Sequence, residues 1–312
     1  MDYYIGIDAG GTKTEAVLTD ETGRVLRRRR QPGCNPMDIG IPAVREQILS
    51  LVRELSASAP QTPVSLYGGI AGLDRIDVGL DPFLRARTEI PLIRTEDDGC
   101  NMISGMLGHR DGCGMVCGTG SSLFARIEGE PLVHIGGLGY LIDTGGSGFE
   151  LARDGLKQAY RHLDGRGEAT LLTEGFSEAL HKDLKSAFAD IYQGGRPFIA
   201  SLAHVVFACA AAGDTVSLSL LEDGSSRLAE LTYAAAKHFG GAFTVVMNGG
   251  IFRAYPHYAE AVRKKAASAA NMILADVPAI YGAVVEALWQ GGVTADSETR
   301  RRFLDSFAHT AE

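Results

Sequence analysis

Apolar and polar positions near the start of the chain form two short, mostly apolar runs, residues 3–8 and 14–19. Each has the length of a strand. The Ala9-Gly10-Gly11 turn between them carries the adjacent glycines that a tight hairpin uses to reach positive φ. Asp20-Glu21-Thr22-Gly23 predicts the next turn, and residues 25–29 a third antiparallel strand. Pro32-Gly33-Cys34-Asn35-Pro36 reads as a rigid loop, and over residues 41–55 apolar side chains recur at helical spacing. Residues 64–70 predict a buried strand and 78–87 a helix. A short strand over 92–94 then empties into Glu96-Asp97-Asp98-Gly99, where a helix over 101–107 begins.

The pattern then restarts. Residues 114–117, the turn Gly118-Thr119-Gly120-Ser121-Ser122 and residues 123–127 repeat strand, glycine turn and strand. Glu128-Gly129-Glu130 turns into a third strand over 132–135. The match is one of topology, not of residues, and suggests an internal duplication. A glycine-dense segment, residues 136–148, leads into a helix over 149–163. The middle, residues 169–238, is helical with breaks at Gln193-Gly194-Gly195-Arg196-Pro197 and Ala212-Gly213. Residues 244–247 predict a buried strand opening onto Asn248-Gly249-Gly250. Helices are expected from Tyr258, from Pro278 and over 298–307.

A chain of 312 residues is better divided into two domains than held in one. An apolar fraction of 45% with 22% charged is that of an ordered globular protein, and 39 glycines suit several backbone-lined ligand loops. The net charge of −8 argues against nucleic acid as the main partner. The run Arg27-Arg28-Arg29-Arg30 is expected on a solvated strand end. Five irregularly spaced cysteines without a CxxC are read as buried free thiols in a reducing compartment. No stretch has the length of a membrane span or the form of a signal peptide, so a cytoplasmic protein is expected.

The first turn also carries chemistry. Gly10 and Gly11 allow an anion close to backbone N–H groups, and Thr12, Lys13 and Thr14 add hydroxyl and ammonium donors. Asp8 ends an apolar strand, where a carboxylate gains nothing by burial. Beside a phosphate cradle it is best explained by Mg²⁺ held through water. The plain alternative is an ordinary hairpin with an exposed Asp. Gly6 to Lys13 does not complete a Walker A loop, and none of the Gly-x-Gly pairs has the third glycine of a dinucleotide turn.

With these turns in order, the chain resembles the actin-like ATPase superfamily, and within it the BadF/BadG/BcrA/BcrD-type ATPase family of N-acetylglucosamine and glucosamine kinases. Asp8-Ala-Gly-Gly-Thr-Lys-Thr matches the first phosphate motif, Gly118-Thr119-Gly120-Ser121 the second, and Asn248-Gly249-Gly250 the adenosine motif. Gly136-Gly137-x-Gly139 with Asp143-x-Gly145-Gly146 matches the sugar-side loop.

The resemblance implies an α/β fold, the two-domain actin-like ATPase (ribonuclease H-like) architecture of mixed five-stranded sheets flanked by helices. A small domain, residues 1–114 with the C-terminal helix 298–312, and a large one, 115–297, would close on ATP, Mg²⁺ and a sugar. Asp98, opening its helix, matches the general base, with Asp97 as a neighbouring charge that raises its pKa. Helix capping is the plain alternative for this pair. Thr119, Gly120 and Ser121 would meet the β- and γ-phosphates. Asn35, Gly137 and Asp143 or Thr144 would meet the sugar, and Gly249 and Gly250 would let adenine lie against backbone beside Asn248.

Leu138 stands where relatives often carry Trp, and Thr144 or Gly145 where an acid is common, so phosphate transfer is better marked than the sugar. A homodimer is the expected assembly. The rivals are an ATP-driven activator of a dehydratase, a sugar-responsive regulator and a nucleotide-binding pseudo-enzyme. The first needs paired iron–sulfur cysteines and the second a helix-turn-helix extension. Asp8 and Asp98 argue against the third.

Overall fold

The computed structural model describes residues 1–143 and 145–310. In chain order the elements are β1 (Tyr3–Ala9), β2 (Lys13–Asp20), β3 (Val25–Pro32), α1 (Pro36–Ile39), α2 (Ile41–Ala57), β4 (Ser65–Ile70), α3 (Leu80–Arg85), β5 (Leu92–Glu96) and α4 (Gly99–Leu107). The second block holds β6 (Gly112–Cys117), β7 (Ser121–Arg126), β8 (Val133–Gly136), α5 (Gly148–Leu163), α6 (Leu172–Leu180), α7 (Leu184–Ser201), α8 (Ala203–Ala211) and α9 (Thr215–Ala236). The chain continues through β9 (Thr244–Asn248), α10 (Gly250–Ala254), α11 (Pro256–Ala266), β10 (Asn271–Leu274), α12 (Ala279–Gln290) and α13 (Ser297–His309).

Among the described residues the strands make two five-stranded sheets, ordered β3-β2-β1-β4-β5 and β10-β9-β6-β7-β8. Both orders run third, second, first, fourth, fifth within their own block. That is the duplication suggested by the repeated glycine turns. In each sheet the first strand of the block runs parallel to the fourth, and the second antiparallel to the third. Strand β1 is apolar along its length because it lies inside its sheet, with Ile5 and Ile7 fully buried. β3 is the edge strand and carries the arginine run, where Arg28 pairs with Glu15 and Arg29 with Glu54.

The chain divides into two compact units. Unit 1 is Met1–Gly112, Arg126–Leu132 and Ala275–Glu312, and unit 2 is Cys113–Ala125 and Val133–Leu274. The chain therefore returns to unit 1 at 275, earlier than the expected 298, and a short segment after β7 also belongs there. Two features explain the return. A Cβ on Gly282 would lie 1.7 Å from Asn101 O, so α12 crosses α4 at a distance only glycine permits. Arg126 donates to Glu286 Oε1 at 2.7 Å and to the Gly108 and Arg110 carbonyls, pinning the short segment. Glu286 is almost wholly buried and also meets His109 Nδ1 at 2.7 Å, whose ring stacks on Trp289. A buried carboxylate persists only with such partners.

Two local expectations differ from the structure. β10 had no strand signal, since its four residues are short and half exposed. The expected break at 193–197 is a kink inside α7, at Gly195. Among the described residues no single helix is long and apolar enough to cross a membrane.

Candidate active site

In unit 1 the turn after β1 is closed by Gly10 N donating to Lys13 O at 2.9 Å and braced by Cys34 N donating to Gly10 O at 3.0 Å. Neither Gly10 nor Gly11 takes a positive φ, contrary to the hairpin expectation. The turn spans three residues between its strands, so it does not need the left-handed pair of a two-residue loop. What the glycines provide is room. A Cβ on Gly10 would find Lys13 O at 3.6 Å and Asp98 Oδ2 at 4.0 Å, and one on Gly11 only Asp38 Oδ2 at 4.0 Å.

Thr12 and Lys13 are exposed, and Lys13 Nζ lies 3.5 Å from Glu15. Thr14 is not a candidate donor after all. It is fully buried, and its hydroxyl donates to Pro32 O at 2.9 Å.

Asp8 sits half-buried at the end of β1, and Asn101 Nδ2 donates to its Oδ1 at 2.7 Å. Burial raises the Asp8 pKa, opposed by the Asn101 hydrogen bond and the Lys13 charge. Asn101 is wholly buried on the first turn of α4. Sequence reading missed it because a single Asn after two acids carries no motif.

The two adjacent acids divide the work. Asp97 is the capping residue: its Oδ1 accepts from Gly99 N and its Oδ2 from Gly72 N, both at 3.0 Å. Asp98 occupies the N-cap position of α4, yet its side chain makes no capping hydrogen bond. Capping thus accounts for Asp97 and leaves Asp98 unexplained by it. Burial pushes Asp98 well above the usual carboxylate range, with the charges of Asp97 and Asp8 adding to it. Burial also raises Asp97, to about 6, and Asp74 adds to that shift. Asp74, unflagged by any motif, is a further carboxylate of this cluster with a side chain 7% exposed.

Asn35, in the expected Pro32–Pro36 loop, caps α1, its Oδ1 accepting from Met37 N at 2.8 Å. A Cβ on Gly72 would lie 3.1 Å from that oxygen, so Asn35 and Asp97 flank the same glycine. Among the described residues no three His, Cys, Asp or Glu side chains converge as a metal cage.

In unit 2, Gly118 N donates to Gly120 O at 2.9 Å. The Gly118 and Thr119 carbonyls accept from Gly148 N at 2.8 Å and Phe149 N at 3.3 Å, the opening N–H groups of α5. That helix has a full capping box, Ser147 with Glu150. Glu150 Oε2 accepts from Gly145 N at 2.7 Å and Ser147 N at 3.0 Å. Its other oxygen, Oε1, is buried without a hydrogen-bond partner among the described residues.

A cavity of about 290 Å³ opens here, lined by Ser121, Gly137, Asp143, Glu150 and Arg196 among others. Gly137 takes φ 70°, and Asp143 Oδ2 accepts from Leu138 N at 3.1 Å, so Asp143 also holds its own loop. Leu138 is 63% exposed. Thr144 lies outside the described residues.

The third glycine site is tighter than expected. Gly249 has φ 122°, and a Cβ there would lie 2.1 Å from Cys117 O, so the end of β6 by itself demands a glycine here. Gly250 has open space around it. Asn248 Oδ1 accepts from Gly249 N at 2.8 Å and Arg253 Nη1 at 2.7 Å. The five cysteines are buried free thiols.

The sequence profile of the BadF/BadG/BcrA/BcrD ATPase family matches residues 5–287. An N-acetyl-D-glucosamine kinase of Dictyostelium discoideum is 30% identical over 276 residues, 80% of this chain and 85% of that protein. An N-acetylmuramic acid/N-acetylglucosamine kinase of Clostridium acetobutylicum is 28% identical over 239 residues, 73% of this chain and 77% of the relative. A protein of Chromobacterium violaceum of known structure superposes with a TM-score of 0.70 at 21% identity, over 92% of this chain and 99% of that one. A ROK family glucokinase of Streptomyces griseus, solved with glucose and AMPPNP, gives 0.57 at 18% identity, over 91% and 98%. The fold is that of the actin-like ATPases, two mixed five-stranded sheets flanked by helices.

Proposed function

The chain belongs to the BadF/BadG/BcrA/BcrD ATPase family, and we propose that it is an ATP-dependent kinase acting on a hydroxyl of an amino sugar. The observation that carries this reading is Asp98: a half-buried carboxylate beside the Gly10 turn, spared from capping by Asp97 and pushed upward in pKa. A carboxylate raised in this way is a stronger base than an ordinary one. The acceptor hydroxyl oxygen bonds to the γ-phosphorus, the bond to the β-bridging oxygen breaks and releases ADP, and the hydroxyl proton passes to Asp98. Asp97 fixes the backbone that carries Asp98. The Gly10 turn leaves room for phosphate, with Thr12 and Lys13 as its side-chain donors.

Mg²⁺, when bound with the nucleotide, neutralises charge on the phosphates. Asp8 would hold it through water. The fit is good, because Mg²⁺ ordinarily takes one or two carboxylates and the substrate phosphates and needs no protein cage. Asn101 keeps the Asp8 carboxylate oriented. In unit 1 the candidates are the base and the metal ligand. In unit 2 they are the Gly118 turn for phosphate, Asn248-Gly249-Gly250 for the adenosine and the Gly137–Asp143 loop for the sugar, and the two units are of nearly equal length rather than small and large.

Leu138 offers no aromatic wall, so acceptors bulkier or less N-acetylated than N-acetylglucosamine are expected to be accepted. The test is ADP release against a panel of glucosamine, N-acetylglucosamine, N-acetylmuramic acid and neutral hexoses, with the phosphosugar identified by mass. An amino-sugar-dependent rate is expected. ATP hydrolysis that no sugar stimulates, with no phosphosugar formed, would sink the reading.

A further inference from the structure

Helix α7 breaks its regular geometry at Gly195, at φ 66° and ψ −166°, a backbone state that a side chain resists. Pro197 follows and can donate nothing to the interrupted ladder. Between them Arg196 turns toward the second glycine turn. A Cβ on residue 120 would lie 2.4 Å from Arg196 Nη2, so the guanidinium occupies the space that glycine leaves.

Among the described residues no carboxylate forms an ion pair with Arg196, whose guanidinium carbon lies 5.7 Å from the centre of the Tyr140 ring. Its Nε is buried without a hydrogen-bond partner. The same cavity is lined by Glu150, whose Oε1 is likewise without a hydrogen-bond partner among the described residues. Leaving a buried donor of a permanently charged group unmet is costly unless a ligand meets it. The planar guanidinium fork matches the oxygens of a phosphoryl group.

We propose that Arg196 is a phosphoryl-binding residue, donating to the terminal phosphoryl group received by the Gly118–Ser121 turn. This rests on reading that turn as a phosphate turn, and not on which sugar is the acceptor. An oxyanion has a second source, a carboxylate on the acceptor. The cavity's neighbour, an apolar groove of about 700 Å³ that also touches Tyr140 and Arg196, has room for such a substituent. The contact with Gly120 favours the phosphoryl group.

The test is calorimetric titration of the wild type, Arg196→Gln and Arg196→Lys with MgATP and with MgADP, alongside melting temperatures. The expected result is a loss of MgATP affinity of about 10- to 100-fold in Arg196→Gln, the worth of one charged hydrogen-bond set. MgADP affinity and melting temperature should hold, and Arg196→Lys should recover part of the loss. Equal loss for both nucleotides, or none for either, overturns the assignment. So does intact MgATP affinity with a raised KM confined to carboxylate-bearing acceptors, which would give Arg196 to the acceptor. A wild type that binds neither nucleotide overturns this inference together with the kinase reading. A wild type that phosphorylates no sugar yet shows the MgATP-selective loss overturns only the latter.

Discussion

Unit 1 and unit 2 share one strand order, and in each the first strand ends in a glycine turn. Around the first turn the structure gathers carboxylates: Asp8 on β1, Asp74 in the loop after β4, and Asp97 and Asp98 before α4. Around the second it gathers the Ser121 and Ser122 hydroxyls, the Arg196 guanidinium and the carboxylates of Asp143 and Glu150. The side chains that set each character come mostly from outside the hairpin. Asn101 stands on α4, Glu150 on α5 and Arg196 on the kinked α7. The same scaffold thus collects a cluster of carboxylates in one copy and a mixture of carboxylates, hydroxyls and a guanidinium in the other, because loops and helix ends tolerate replacement while strand interiors do not.

Removing the base should produce the largest break in this contrast. Asp98→Asn keeps the shape but cannot take the proton, so kcat is expected to fall by about 10²–10⁴-fold with acceptor binding retained. Asp97→Asn should cost far less. It removes a charge that raises the Asp98 pKa, so the acidic limb of the kcat profile should move to lower pH. Saturating kinetics across pH compare the two variants, and a dead Asp97→Asn with a mild Asp98→Asn would exchange their roles.

The Asp98 substitution has a second signature. A carboxyl raised in the fold above its unfolded value gives full stability only below the unfolded pKa, and that stability is lost as pH rises through the folded value. Asp98→Asn is therefore expected to melt above the wild type at neutral pH, with the gap closing as pH falls. An equal melting temperature at neutral pH would show that the charge is not strained.

The glycines separate the units next. Gly249→Ala forces a side chain against Cys117 O at a strongly positive φ and is expected to destabilise unit 2 by about 1–3 kcal/mol, read as a lowered melting temperature. Gly10→Ala meets nothing closer than 3.6 Å, so the fold should hold while MgATP affinity falls by about tenfold or more. Unchanged affinity in a folded Gly10→Ala protein would remove the first turn from the phosphate site. The smallest effect belongs to Thr14→Val. Gln47 still donates to Pro32 O at 2.8 Å, so the loss is about 1 kcal/mol of stability with MgATP affinity untouched. A selective affinity loss there would return Thr14 to the donor set.

Most of the strand and helix order (β10 excepted), the repeated glycine turns and the placing of Asp8, Asp97 and Asp98 at strand ends were legible in the chain itself. Each follows from local pattern: apolar runs, glycine pairs and acids at a strand end. What local pattern does not carry is which partner each group meets. Thr14 reads as a phosphate donor until Pro32 O takes its hydroxyl, and the need for glycine at 249 comes from the Cys117 backbone, which no local motif shows. The return of α12 to unit 1 depends on a close approach between residues 101 and 282. Asn101, Glu150 and Arg196 carry no motif, and their meaning lies in an oxygen they orient or a partner they lack. Pattern along the chain fixes local conformation through short-range sterics and burial, whereas pairing and unpairing of polar groups depend on contacts between distant segments, which only the folded chain brings together.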